Sequence, residues 1–159
     1  MGSNLGDRES FLFKAIGSID KQIGFVLKKS ALFETEPWGF ETNNKFLNMV
    51  VELETSLLPE VVLKECLSIE AELGRIRGMT EGYSSRTIDI DILFYDDLVL
   101  STEELIVPHP HIQNRRFILA PMCDVAPEFM HPVLNKSIKF LLEECDDDGQ
   151  VKNFGYLDA

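Results

Sequence analysis

Apolar positions along the chain change their period several times, and each change marks an element. Leu12, Ala15, Ile16, Ile19 and Ile23 recur at three- and four-residue spacing, the stripe of an amphipathic helix. Asn4 or Asp7 can cap its start, and Gly24 ends it. Residues 25–33 and 46–54 read as strands, separated by the Pro- and Gly-punctuated loop TEPWGFETNN at 35–44. Pro59 suits the first turn of a second helix, whose stripe Val62, Cys66, Ile69 and Leu73 stops at Gly74. The stretch GRIRGMTEGYSS at 74–85 holds three glycines and few apolar side chains, the composition of a mobile loop. RTIDIDILF at 86–94 alternates between apolar and acidic positions and predicts a third strand. A short strand is expected at 98–100 and a rigid turn in VPHPH at 107–111. A helix should run over 112–123, ended by Pro127 or earlier, and a last short helix over 137–145.

Helices mix with strands here, and two strands follow one another directly. That order predicts an α+β fold, an antiparallel βαββαβ sheet layered with helices. As read, the order starts with a helix, so the first strand of that arrangement is expected to be missing from this chain. A length of 159 residues suits one domain spanning 1–159. Hydrophobic residues make up 45% and charged residues 26%, which predicts a soluble globular protein. No apolar run approaches a membrane span, and MGSNLGDRES lacks the basic and apolar segments of a secretory signal. Cys66, Cys123 and Cys145 form no CxxC pair, which predicts reduced thiols and a cytoplasmic location. A net charge of −12 argues against nonspecific nucleic-acid binding, which draws on cationic contacts to phosphate. The acidic run from Glu143 to Asp148 reads as a solvated helix end and tail.

Chemistry enters with RTIDIDILF. Alternation puts Asp89 and Asp91 on one face, roughly 7 Å apart along the backbone, with Ile88, Ile90 and Ile92 on the other. Two such carboxylates repel unless a cation lies between them, and magnesium binds through one or two carboxylates plus water and substrate phosphates. The ordinary alternative for a bare DxD is a solvent-facing strand. The basic residues tilt the balance. None of the nine lysines lies between Lys64 and Lys136, where every cation is arginine: Arg75, Arg77, Arg86, Arg115 and Arg116. Arginine suits bidentate contact with phosphate oxygens. Carboxylates for metal, arginines for phosphate and a glycine-rich loop to close over them are the parts of phosphoryl transfer. The sequence has no GxxxxGK[ST], so the phosphates would be held by metal and arginine. His109 and His111 are too few for a structural zinc site. His109, between two prolines, could donate to a phosphate or a base, or serve as an ordinary turn residue.

Taken in order, GSNLGDR, FLN with ELETSL, IEAELGRIR, RTIDIDIL, VPHPHIQNRRFIL and APEFMHP resemble the 6-hydroxymethyl-7,8-dihydropterin pyrophosphokinase family over nearly the whole chain. The set RTIDIDIL, VPH and NRRF carries the specificity. The resemblance implies a ferredoxin-like fold with extra elements, working as a monomer. It implies transfer of pyrophosphate from ATP to the pterin hydroxymethyl group, with release of AMP, in folate biosynthesis. ATP would be the co-substrate. Asp89 and Asp91 would hold two magnesium ions, with Arg75 and Arg86 acting beside them on the phosphates. Glu70, Arg77, Ile92, His109 and Arg115 would contact ATP. Thr35, Pro37, Phe46, Asn48, Tyr83 and Phe117 would form the pterin pocket, Phe46 and Phe117 sandwiching the ring and Asn48 reading its edge. Two other readings stay open: a non-catalytic ferredoxin-like module that binds a small ligand, and a nucleotidyltransferase that uses the DxD pair.

Overall fold

The computed structural model describes residues 1–36, 44–74 and 87–158. The chain opens on a strand, not on a helix: β1 is Gly2–Ser3, followed by α1, Arg8–Gln22. The Asp7 carboxylate accepts from Ser10 N at 3.0 Å and caps α1. Asn4, the other candidate cap, is buried and donates from Nδ2 to Asn44 O. Leu12, Ala15, Ile19 and Ile23 are buried, as their spacing predicts.

Each long predicted strand is divided in two. The first gives β2, Phe25–Lys29, and β3, Leu32–Thr35; the second gives β4, Phe46–Asn48, and β5, Val51–Glu54. β2 pairs with β5 and β3 with β4, all antiparallel. The breaks face each other, and side chains satisfy the backbone there. Ser30 N donates to Val50 O, Val50 N donates to Ser30 Oγ, and Ala31 N donates to the Asp124 carboxylate. Next come α2, Pro59–Glu72; the small hairpin of β6, Leu100–Ser101, and β7, Ile106–Val107; a 3-10 turn, Ile112–Asn114; α3, Arg116–Val125; α4, Ile138–Glu144; and β8, Val151–Gly155. The predicted helix over 112–123 is therefore interrupted at Arg115, whose backbone is extended (φ −126°, ψ 100°). β8 has no counterpart in the sequence reading. It is a mixed segment that becomes a strand by pairing with β3.

The four-stranded sheet runs β1-β4-β3-β8. The expected third strand is reduced to one antiparallel bridge, Asp89 to Gly2, among the described residues 87–94. β1 is two residues long and gives that segment no longer ladder.

Two cores lie on opposite faces of the sheet. One gathers Leu12, Ile19, Leu47, Ile69, Ile88 and Ile90 between α1, α2 and the sheet. The other gathers Val50, Ile118, Leu119, Met122, Ile138 and Leu141 beneath α3 and α4. Among the described residues no helix is long and apolar enough to cross a membrane. The three cysteines are free thiols.

Buried His131 should make the fold sensitive to acid. Its Nδ1 accepts from Val133 N and Leu134 N, at 3.2 and 3.1 Å. Burial lowers its pKa below the ordinary 6.5. The unfolded chain therefore takes up the proton first as pH falls. Stability is full above the unfolded value and declines below it. Thermal melts from about pH 8 down to about pH 5 should show that decline. His131→Asn, whose Oδ1 can accept in place of Nδ1, should flatten it. Equal slopes in the two proteins would assign the acid sensitivity elsewhere.

Candidate active site

Strand alternation sorts side chains to the two cores. Leu47, Met49, Ile88 and Ile90 enter the core beneath α1 and α2. Phe46, Asn48, Asp89 and Asp91 therefore face the other way, toward α3. The register then aligns them. Asp89, Gly2, Asn48 and Phe33 form one row across the sheet, and Thr35 pairs with Phe46 in a neighbouring row. Asp89 and Asn48 are thus two strand spacings apart, about 10 Å at the backbone, with only Gly2 between them. A Cβ on Gly2 would lie 2.6 Å from Asn48 Oδ1. The missing side chain keeps the space between the carboxylates and the amide open.

Asn48 Nδ2 donates to buried Thr35 Oγ1 at 2.8 Å, which fixes the amide orientation. Phe46 is half-buried at the mouth of β4. Phe117, on the first turn of α3, is partly buried against the α3–α4 core, and the Arg115 guanidinium lies 5.8 Å from its ring centre.

Although Asp91 keeps an exposed surface, its carboxyl sits within the surrounding protein mass, and loss of water raises its pKa. The Asp89 charge raises it further, against the pull of the Met1 ammonium, His109 and Arg115. The pair brings two carboxylates close together, a donor set that a hard cation with oxygen ligands suits. Among the described residues no three metal-ligating side chains cluster, so water and substrate oxygens would complete the shell. Magnesium fits this donor set.

His109 follows the Val107–Pro108 cis peptide. Its backbone N donates to Leu93 O, which brings it beside the 91–93 segment. Burial lowers its pKa, against the pull of Asp91. Nδ1 accepts from His111 N, so the neutral ring carries its proton on Nε2 and presents a donor there. Arg115 is buried and its charge is felt by both His109 and Asp91. Asp89, Asp91, His109, Arg115 and Phe117 are thereby drawn together from three separate stretches of sequence.

Two other predicted residues, Glu70 and Ile92, lie on the α1–α2 side. Glu70 is buried on α2, with Oε1 accepting from Ile90 N. Ile92 packs against the α1–α2 core. Pro37, Arg75, Arg77, Tyr83 and Arg86 lie outside the described residues. A cavity of about 460 Å³ between β5 and residues 90–96 also borders Asp91. Its Val51, Leu53, Ile92 and Leu93 walls are unsuited to a triphosphate.

Arg116, grouped by sequence with the phosphate-binding arginines, is committed elsewhere. Its Nε donates to Asp147 O and its guanidinium to Cys145 O, while its backbone N donates to the Asp147 carboxylate. Asp147 thus caps α3 from the C-terminal tail, a role the sequence reading missed. No local signal marks it, because the cap comes from 31 positions away. The clamp holds the extended backbone at Arg115, which directs neighbouring side chains differently: Arg116 to the tail, Arg115 to the site.

A family model described as 7,8-dihydro-6-hydroxymethylpterin-pyrophosphokinase matches residues 1–127. The 2-amino-4-hydroxy-6-hydroxymethyldihydropteridine pyrophosphokinase of Aquifex aeolicus is 40% identical over 139 residues, 87% of this chain and 85% of that protein. The enzyme of the same name from Porphyromonas gingivalis is 44% identical over 134 residues, 83% and 90% of the two chains. The folic acid synthesis protein fol1 of Pneumocystis carinii is 40% identical over 147 residues, and the match spans 92% of this chain but 20% of that longer protein. A solved HPPK-DHPS structure in complex with substrates superposes with a TM-score of 0.72 at 14% identity, over 89% of this chain and 42% of that one. That likeness concerns the fold. With a family model covering most of its length and relatives matched nearly end to end, the chain belongs to the 7,8-dihydro-6-hydroxymethylpterin-pyrophosphokinase (HPPK) family.

Proposed function

We propose that this protein transfers pyrophosphate from ATP to 6-hydroxymethyl-7,8-dihydropterin and releases AMP, a step of folate biosynthesis. The carrying observation is the family match over residues 1–127, which contains every residue of the row and of the cluster around Arg115. The finer reading is a ferredoxin-like domain over 1–159, acting as a cytoplasmic monomer. β1 would occupy the place of the first strand in the βαββαβ order.

The pterin ring lies between Phe46 and Phe117, with the free hydrogen-bonding capacity of Asn48 at its edge. Its hydroxymethyl group reaches over Gly2 toward the carboxylates. The hydroxyl oxygen attacks the β-phosphorus in line, the bond from that phosphorus to the oxygen shared with the α-phosphate breaks, AMP departs and the hydroxyl proton is lost to water. Asp89 and Asp91 would hold two magnesium ions, which when bound would supply charge neutralisation at the phosphates. Arg115 holds phosphate oxygens from the α3 side, and His109 donates from Nε2 to a phosphate or base. Glu70 and Ile92 serve the ATP side. Arg75, Arg77 and Arg86 complete the phosphate contacts, and Tyr83 and Pro37 complete the pterin pocket.

Chromatography of a reaction with ATP, magnesium and the hydroxymethyl pterin tests this directly. AMP and a diphosphorylated pterin are expected in equal amounts. Free pyrophosphate with AMP joined to the acceptor would instead identify a nucleotidyltransferase. Binding without turnover would identify a ligand-binding module.

A further inference from the structure

Ile90 separates the two aspartates in sequence, and its backbone amide is held in an unusual way. Asp89 exchanges both of its backbone hydrogen bonds with Gly2, at 2.9 and 2.8 Å. In an extended chain the next residue then points its N–H to the opposite side, away from β1. On that side the acceptor is a side chain, not a strand. Ile90 N donates to Glu70 Oε1 at 2.9 Å. Glu70 is 1% exposed, next to fully buried Ile69 and one turn beyond buried Cys66 on α2. The helix is therefore docked on the core, and the carboxylate is delivered from a rigid base.

Burying a carboxylate is costly, and an uncharged side chain could accept from the same amide. The charge is felt locally. Burial pushes the Cys66 thiol up to about 12, and Glu70 adds to the push. A charged acceptor makes a shorter and stronger bond than a neutral one, and this one is made to the residue that spaces the DxD pair.

We propose that Glu70 is a positioning residue: by accepting the Ile90 amide proton it holds the backbone between Asp89 and Asp91 and so sets the separation and aim of the two carboxylates toward a divalent cation. This rests on reading Asp89 and Asp91 as the metal ligands. Glu70 then acts on the metal through the backbone, in addition to serving the ATP side.

Two near-isosteric variants separate that role from direct electrostatic contact. Glu70→Gln keeps an acceptor oxygen at the same reach and removes the charge. Glu70→Asp keeps the charge and withdraws the oxygen by one methylene. Manganese binding in the presence of a non-hydrolysable ATP analogue can be followed by electron paramagnetic resonance, and Ile90 amide exchange by NMR. Groups that orient metal ligands typically contribute about 10–100-fold to metal affinity. The aspartate variant should lose affinity in that range and lose protection at the Ile90 amide. The glutamine variant should lose less than about tenfold and keep the protection. Magnesium-dependent turnover should follow the same order. The reverse order, equal losses, or wild-type affinity in both variants would overturn the proposal. Failure of the unaltered protein to take up manganese with the ATP analogue would instead remove Asp89 and Asp91 as ligands, a different failure.

Discussion

Replacing Asp91 with asparagine should raise the melting temperature of the free protein and reduce turnover by about 10²–10³-fold, the scale seen when one preorganised electrostatic contact to a reacting group is lost. The two effects have one cause. The folded protein raises the Asp91 pKa by withdrawing water and by placing Asp89 beside it. A raised folded pKa means that the fold disfavours the ionised carboxylate, so at neutral pH a neutral isostere of the same shape relieves the fold. The same ionised pair is what a divalent cation needs, so relief and loss of function come together. Differential scanning fluorimetry with and without ATP analogue and magnesium makes the test. The unaltered protein should gain stability on adding both ligands, because they bind only the folded state. The variant should start higher and gain less. A lower starting temperature together with near-normal turnover would take Asp91 out of the metal role.

Arg115→Lys is expected to lose about 10³-fold or more in kcat, the scale on which a single arginine contributes to phosphoryl transfer. Lysine retains the charge but not the planar fork of donors, and so does not replace a bidentate contact to phosphate. The residue is 6% exposed, and its backbone is held extended by the Arg116–Asp147 clamp, so the side chain has little freedom to relocate. A structural role predicts something different. Lysine keeps most of the aliphatic stem that packs near Phe117, so loss of packing alone would lower the melting temperature and leave kcat within about tenfold. Steady-state kinetics and a melt on the same preparation distinguish the two. Loss in kcat and kcat/KM together, at little cost in stability, is the expected pattern.

Much of the fold was legible along the chain because its helices are short-range objects. The stripes of α1 and α2, the Asp7 cap and the proline at the start of α2 depend on residues within a few positions of one another. The DxD face followed from strand alternation alone, and Asp89, Asp91, His109, Arg115 and Phe117, which the family resemblance singled out, lie within one region. The misreadings share a different origin. Residues 25–33 and 46–54 look continuous by pattern, yet each breaks where Ser30 and Asp124 satisfy the backbone in place of a ladder partner. β8 exists because β3 offers it an edge.

What the sequence by itself determined is therefore local: helix phase, the face of the sheet each side chain takes, the types of residue available for phosphate and metal, and the family. Only the tertiary structure decided that Asp89, Gly2 and Asn48 share a row, since register across strands far apart in the chain is set by pairing. It alone separated Arg115 from Arg116, by a cap reaching back from Asp147, and it alone brought Glu70 to the Ile90 amide. The physical reason is the same in each case. Side-chain periodicity is written in neighbouring residues, whereas the acceptor for a backbone amide at the edge of a sheet is supplied by whatever the packed chain carries there.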